Sequence, residues 1–154
     1  LSGRYPDLRF DLLVRGAIRQ RFEALRRLTD HPAVTWYERI SDEALRHLYQ
    51  RSYLMLLPMN CCGAANSIVE ALACGLPVVT TAVGGIPDYG GGTVYPVVSN
   101  NDDDAMIALV ERYLQEPESR NEVSGKCREF AEKYLPWSLV AEEHLEAYHD
   151  LATS

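Results

Sequence analysis

Apolar positions along this chain fall by turns into short continuous runs and into stripes of helical spacing, and that alternation predicts strands and helices in succession. Leu8 to Val14 reads as a first strand, and Arg19 to Leu28 as a helix with Phe22, Leu25 and Leu28 at helical spacing. Ala33 to Tyr37 is a second short strand. Ser41 caps a helix from Asp42 to Gln50, whose first turn carries Asp42 and Glu43 where the helix dipole favours negative charge. Tyr53 to Leu57 is an apolar strand stopped by Pro58, Leu76 to Thr81 is another, and Thr93 to Val98 is a last one. Apolar strands separated by amphipathic helices imply a parallel sheet covered on both faces. The predicted class is α/β, a doubly wound, Rossmann-like parallel sheet.

From Asp102 onward the pattern is helical only. Helices are predicted at Asp104 to Gln115, Glu118 to Tyr134 and Trp137 to Leu151, with Pro117 and Pro136 as the breaks. Trp137, Val140, Ala141, His144, Leu145, Tyr148 and Leu151 form one stripe, so the last helix is expected to pack on something. With no repeat, low-complexity segment or linker, residues 1–154 read as one domain.

The segment from Gly63 to Val79 is the most informative. A loop of small residues opens a helix that ends on Gly75 and Pro77 and leads into a strand. Ala65, Ile68, Val69, Leu72 and Ala73 predict its buried face, while Asn66 and Glu70 lie four apart on another. The first turn of a helix has backbone N–H groups without intrahelical partners and carries partial positive charge, which favours a phosphate there. Asn66 is placed to serve as N-cap, as ligand contact, or as both. Glu70, one turn further in, is placed to accept hydrogen bonds from the hydroxyls of a sugar attached to that phosphate. Gly84-Gly85 and Gly90-Gly91-Gly92 are read as loops at the carboxyl ends of strands, where open α/β sheets bind ligands.

Charge narrows the ligand. The net charge of −7 and the lack of any Lys or Arg run argue against nucleic acid and for a small molecule. No stretch approaches the roughly 18–20 apolar residues of a membrane span, and no signal pattern opens the chain, so a cytoplasmic location is expected. Cys61, Cys62, Cys74 and Cys127 show no C-x-x-C spacing and read as reduced thiols, with Cys61 and Cys62 as small buried apolar residues. His31, His47, His144 and His149 have no metal-site spacing, and Asp102-Asp103-Asp104 reads as helix capping rather than a cation site. A dinucleotide enzyme would need G-x-G-x-x-G after the first strand, which Arg15-Gly16-Ala17-Ile18-Arg19 does not supply.

Several fragments in order carry a family resemblance: Tyr5-Pro6-Asp7-Leu8; Val34-Thr35-Trp36-Tyr37 followed by Ile40-Ser41-Asp42-Glu43-Ala44-Leu45; Leu54-Met55-Leu56-Leu57-Pro58; Val69-Glu70-Ala71-Leu72-Ala73-Cys74-Gly75-Leu76-Pro77-Val78-Val79; and Val83-Gly84-Gly85-Ile86-Pro87-Asp88. From about Tyr5 to Leu151 the chain resembles the C-terminal, nucleotide-sugar-binding half of GT-B glycosyltransferases, in particular the large retaining group 1, family 4 type that includes sucrose-phosphate synthases and many mannosyl- and glucosyltransferases.

The resemblance implies a donor site. Glu70 would be the second glutamate of a Glu-x7-Glu motif and contact the ribose hydroxyls; Asn66 and Ser67 would present amides to the diphosphate; Tyr37, Glu38 and Arg39 would border the base. The first glutamate of the motif falls at Cys62, leaving Gly63 and Ala64 to offer main-chain contacts to the sugar. The lysine of the family's diphosphate-binding Arg/Lys pair would precede Tyr5, and neither Arg15 nor Arg19 is assigned that role. The chain is thus expected to be a donor-binding fragment, inactive alone, that lacks the acceptor domain and a first βα unit. The full-length enzyme would move a hexose from a nucleoside diphosphate sugar to a hydroxyl acceptor without a metal, in the cytoplasm, with peripheral membrane association left open. Cys62 keeps open the alternative of a catalytically inactive nucleotide-sugar-binding module.

Overall fold

The computed structural model describes residues 1–153, and its architecture is α/β and Rossmann-like, with parallel sheets and flanking helices. Two compact units divide the chain, one from Leu1 to Leu45 and one from Arg46 onward.

In the first unit, β1 (Phe10–Leu13) pairs in parallel with β2 (Val34–Tyr37), Phe10 facing Val34 and Leu13 facing Tyr37. The single helix predicted from Arg19 to Leu28 is instead two short ones, α1 (Gly16–Arg21) and α2 (Glu23–Arg27). Phe22, at φ −100° and ψ 121°, is extended and ends one helix while opening the next. Neither helix buries a residue, so the tertiary packing that usually sustains a helix is not there to carry it through Phe22. Behind β2, the Arg19 guanidinium lies over the Trp36 ring at 5.0 Å.

Helix α3 (Asp42–Arg51) begins as its sequence dictates: the Ser41 hydroxyl accepts from the Ala44 N–H at 3.2 Å, and Asp42 and Glu43 occupy the first turn.

The second unit contains a parallel sheet in the order β3 (Met55–Leu57), β4 (Val78–Thr81), β5 (Val97–Val98). Only β4 is buried at every position; β1 and β3 alternate with more exposed positions, so burial on both faces holds for the central strand rather than for all. The last predicted strand, Thr93 to Val98, shrinks to two residues because the Gly90 carbonyl takes the N–H groups of Thr93 and Val94 into a turn. Gly90, Gly91 and Gly92 therefore precede β5 and follow a 3-10 turn (Ile86–Tyr89), a correction to their expected place after a strand, whereas Gly84-Gly85 does follow β4.

Helix α4 (Asn66–Ala73) packs against β4 and α6 (Pro117–Tyr134). Its buried face is Ile68, Ala71 and Leu72 with Ala65 just before it; Val69 is half-buried and Ala73 exposed, so the face is turned toward Ala71 relative to expectation. The helix stops in a Schellman arrangement: Leu76 N–H donates to Ala71 O and Gly75 N–H to Leu72 O, each at 2.9 Å, with Gly75 at φ +67°. Pro77 then forbids resumption.

Helix α5 (Asp103–Gln115) is capped by Asp102, whose Oδ1 accepts from the Ala105 N–H at 2.9 Å. The last helix, α7 (Trp137–Ala152), buries no residue, and Trp137 is 86% and Leu151 76% exposed. Of its stripe Val140 is half-buried and the rest is exposed among the described residues, because the pattern specifies an amphipathic helix without specifying a cover. All four cysteines are unpaired, but Cys61 is exposed and Cys62 half-buried, which corrects the buried reading; Cys127 is the buried one, and burial pushes its thiol up to about 11. No helix among the described residues is long and apolar enough to cross a membrane.

Candidate functional site

The site is built where β3 and β4 release their loops. Thr81, ending β4, ties down the β3 loop from both sides: its hydroxyl donates to Met59 O at 2.5 Å and accepts from Met59 N–H at 3.0 Å. Further along, the Gly85 N–H donates to Cys62 O at 3.1 Å. The loop from β3 is thereby held at two points before it enters α4.

Ala65 is the N-cap of α4, at φ −133° and ψ 82°, and its carbonyl accepts from the Ile68 N–H at 2.9 Å. Asn66 is therefore the first helical residue, which corrects its expected capping role. No side chain caps this end and the first turn holds no acid, so the partial positive charge of the helix meets no negative side chain of its own. Gly63, Ala64 and Asn66 are exposed there and Ser67 is half-buried.

Glu70, one turn inward, is exposed, and its Oε2 accepts from the Tyr49 hydroxyl at 3.1 Å. Burial first, and then the Glu70 charge, push the Tyr49 hydroxyl well above the usual tyrosine range, so it remains a donor. Sequence reading passed over Tyr49. The signal lay in α3, where Leu45, Leu48 and Tyr49 share a face. Cys62, where the resemblance places a glutamate, packs against the hydrophobic core.

Beside this loop, a cleft of about 150 Å³ is lined by Asn60, Thr81, Asn101, Asp102 and Met106 among others. No cluster of His, Cys, Asp and Glu suited to a metal occurs among the described residues.

Arg39 and Tyr37 belong to the first unit. Arg39, at φ 54°, adopts a left-handed conformation uncommon for a non-glycine residue and lines a cleft of about 380 Å³ with Leu13, Val14, Arg15, Glu38, Ile40 and Leu45. Tyr37 is half-buried at the end of β2, its carbonyl accepting from Val14 N–H at 3.0 Å, and does not line that cleft. Arg15, to which no role was assigned, does. The structure thus gathers Cys62, Gly63, Ala64, Asn66, Ser67 and Glu70 around the start of α4, and, within the first unit, Arg39 with Arg15 and Glu38 in one cleft.

Comparison with known proteins gives this geometry a context. An α-(1→4)-mannosyltransferase of Mycolicibacterium hassiacum is 28% identical over 111 residues, covering 71% of this chain and 27% of that protein. Among solved structures, the sucrose-phosphate synthase of Thermosynechococcus elongatus superposes with a TM-score of 0.82 at 25% identity, over 98% of this chain and 40% of that one. HepE of Anabaena, solved in complex with UDP-glucose, superposes with a TM-score of 0.77 over 94% of this chain and 42% of that one; at 15% identity it attests to the fold alone. The chain thus spans well under half the length of each. A family model described as glycosyl transferases group 1 matches residues 3–116, from ahead of β1 to the end of α5, and includes both clefts and the whole of α4. With that match over most of its length, the chain belongs to the group 1 glycosyl transferases.

Proposed function

We propose that this chain is the donor-binding domain of a glycosyltransferase that moves a hexose from a nucleoside diphosphate sugar to a hydroxyl acceptor, with retention at the anomeric carbon. The observation that carries the reading is the exposed Glu70 carboxylate, held by Tyr49 one turn inside an α4 terminus that has no acid or side-chain cap of its own. The UDP-glucose bound by HepE, which shares the fold, supports a ligand of this class.

In this account the Asn66 and Ser67 amides receive the diphosphate, and Glu70 accepts hydrogen bonds from the ribose hydroxyls. Gly63 and Ala64 offer main-chain groups to the sugar. During transfer the bond from the anomeric carbon to the diphosphate oxygen breaks, a bond to the acceptor oxygen forms, and the acceptor's hydroxyl proton passes to the departing diphosphate oxygen. The negative charge gathering on the departing diphosphate falls on dipoles already in place, which is the efficient form of electrostatic stabilisation. No step asks for a metal ion. For the first unit we propose that the Arg39 cleft takes a flat polar group such as a nucleobase, bordered by Glu38 and Arg15 and not by Tyr37, which lies outside its lining.

The test is a saturation-transfer NMR screen against UDP-, GDP- and ADP-sugars, with NAD as control, repeated on Glu70→Ala. Signal from a nucleotide sugar that the substitution abolishes supports the reading; signal that persists unchanged in Glu70→Ala overturns the role of Glu70. A second reading, an inactive nucleotide-sugar-binding module, is favoured by Cys62, whose side chain packs on the core instead of supplying a carboxylate. Transfer by the full-length protein with Cys62 intact would eliminate it; transfer only after Cys62→Glu would establish it.

A further inference from the structure

The glycine pair that follows β4 touches the other loop more closely than any side chain could. Gly84 lies at φ +52°, and a methyl group there would come 1.8 Å from Cys62 O, 2.9 Å from Cys62 C and 3.2 Å from Cys62 N. A methyl group on Gly85 would come 2.8 Å from Gly63 O, while the Gly85 N–H donates to Cys62 O at 3.1 Å. The contacts fall on main-chain atoms, which cannot swing aside as a flexible side chain can. The Gly85 methyl contact falls on the carbonyl of Gly63, and the Gly84 contacts, with the Gly85 hydrogen bond, fall on the peptide joining Cys62 to Gly63.

That peptide lies immediately ahead of the residues assigned to the donor. The Cys62 side chain is packed against the core, and earlier in the loop Thr81 pins Met59. The orientation of the Gly63 and Ala64 main chain is therefore fixed by the close approach of two glycines, whatever the chemistry of the side chain at 62.

Resting on the donor-binding reading above, we propose that Gly84 and Gly85 are positioning residues for the nucleotide sugar: without touching it, they clasp the Cys62–Gly63 peptide and so aim the main-chain groups of Gly63 through Ser67 at the sugar and diphosphate. A methyl group on Gly84 must displace that peptide, and one on Gly85 must displace the Gly63 carbonyl that follows it. Displacements of about 1 Å near a reacting centre lower efficiency by up to roughly a hundredfold.

The experiment compares wild type, Gly84→Ala, Gly85→Ala and a Gly125→Ala control. A methyl group on Gly125, which is exposed in α6, meets nothing within 4 Å. Each is titrated with UDP-, GDP- and ADP-sugars, affinity is expressed per folded molecule, and amide chemical shifts are followed. The expected result for Gly85→Ala, the milder variant, is a folded protein with altered amide shifts from Gly63 to Ser67 and affinity weakened by about tenfold or more. Gly125→Ala keeps wild-type affinity. If Gly85→Ala melts earlier but binds unchanged per folded molecule, the glycines are structural only and the proposal is overturned. Should Gly84→Ala fail to fold, Gly85→Ala decides alone. Silence of the wild type toward every nucleotide sugar overturns the donor-binding reading and this role with it, a result distinct from a wild type that binds beside a Gly85→Ala that binds equally well.

Discussion

The Tyr49 hydroxyl donates to Glu70 Oε2 at 3.1 Å, joining α3 to α4. One lone-pair direction of the carboxylate is thereby fixed, while its other oxygen is left to a ligand. Tyr49→Phe removes the hydrogen bond but keeps the ring. Because Glu70 is exposed, the cost in stability should stay near 1 kcal/mol, whereas nucleotide-sugar affinity should fall severalfold through the loss of orientation. Calorimetric titration beside thermal melts separates the two, and unchanged affinity would remove Tyr49 from the site.

Gly63 and Gly75 offer a second contrast, because they flank the two ends of α4. A methyl group on Gly63 meets nothing within 4 Å, so Gly63→Ala should melt as wild type does yet bind donor more weakly by intruding on the space given to the sugar. Gly75, at φ +67°, closes the Schellman turn at the opposite end. Gly75→Ala should cost about 1–2 kcal/mol in backbone strain and leave affinity per folded molecule unaltered. Paired melts and titrations check both.

Ile68 is completely buried in the core beneath the site. Ile68→Ala should destabilise the protein by about 2–5 kcal/mol through lost burial and the cavity left behind. Denaturant unfolding gives this directly, and a loss well below 1 kcal/mol would mean that α4 is less firmly packed than the structure implies.

Alkaline pH should unfold the protein early. Burial raises the Cys127 thiol to about 11 and the Tyr113 hydroxyl to about 12, and raises Tyr49 and Tyr95 as well. For groups raised in the folded state, the unfolded chain loses its protons first, so stability is complete below the ordinary thiol and tyrosine values and falls as pH climbs through them. Melting temperature should be level near pH 8 and drop steadily above about pH 9. Cys127→Ala should soften the first part of that drop, and an unchanged profile would contradict the assignment.

Metal removal should be without effect. If α4 amides supply the stabilisation of the diphosphate, transfer by the full-length protein should persist undiminished in EDTA, followed by release of the nucleoside diphosphate. Activity restored only by added Mg²⁺ or Mn²⁺ would contradict that part of the account.

Much of this was legible in the chain. The apolar run ending at Thr81, the capping residues Ser41 and Asp102, and the small-residue entry to α4 are local features, and local chemistry determines them. The break at Phe22 was hidden because its spacing with Leu25 and Leu28 suits a continuous helix, and only the missing burial reveals the interruption. Ala71 is not announced by the spacing that starts from Ala65, and its burial comes from α4 packing on both β4 and α6. The Tyr49–Glu70 bond and the hold of Gly84 and Gly85 on Cys62 bring together residues more than twenty positions apart, and no spacing along the chain announces such meetings.

The central claim is that the start of α4 receives the diphosphate of a nucleotide sugar. The most direct measurement is an amide-resolved NMR titration of this chain with UDP, GDP and ADP. Saturable shifts centred on Gly63, Ala64, Asn66 and Ser67, lost on further addition of excess salt, are the predicted result. Shifts confined to other helix starts, such as that of α5 behind Asp102, or no shifts with any of the three, would contradict it.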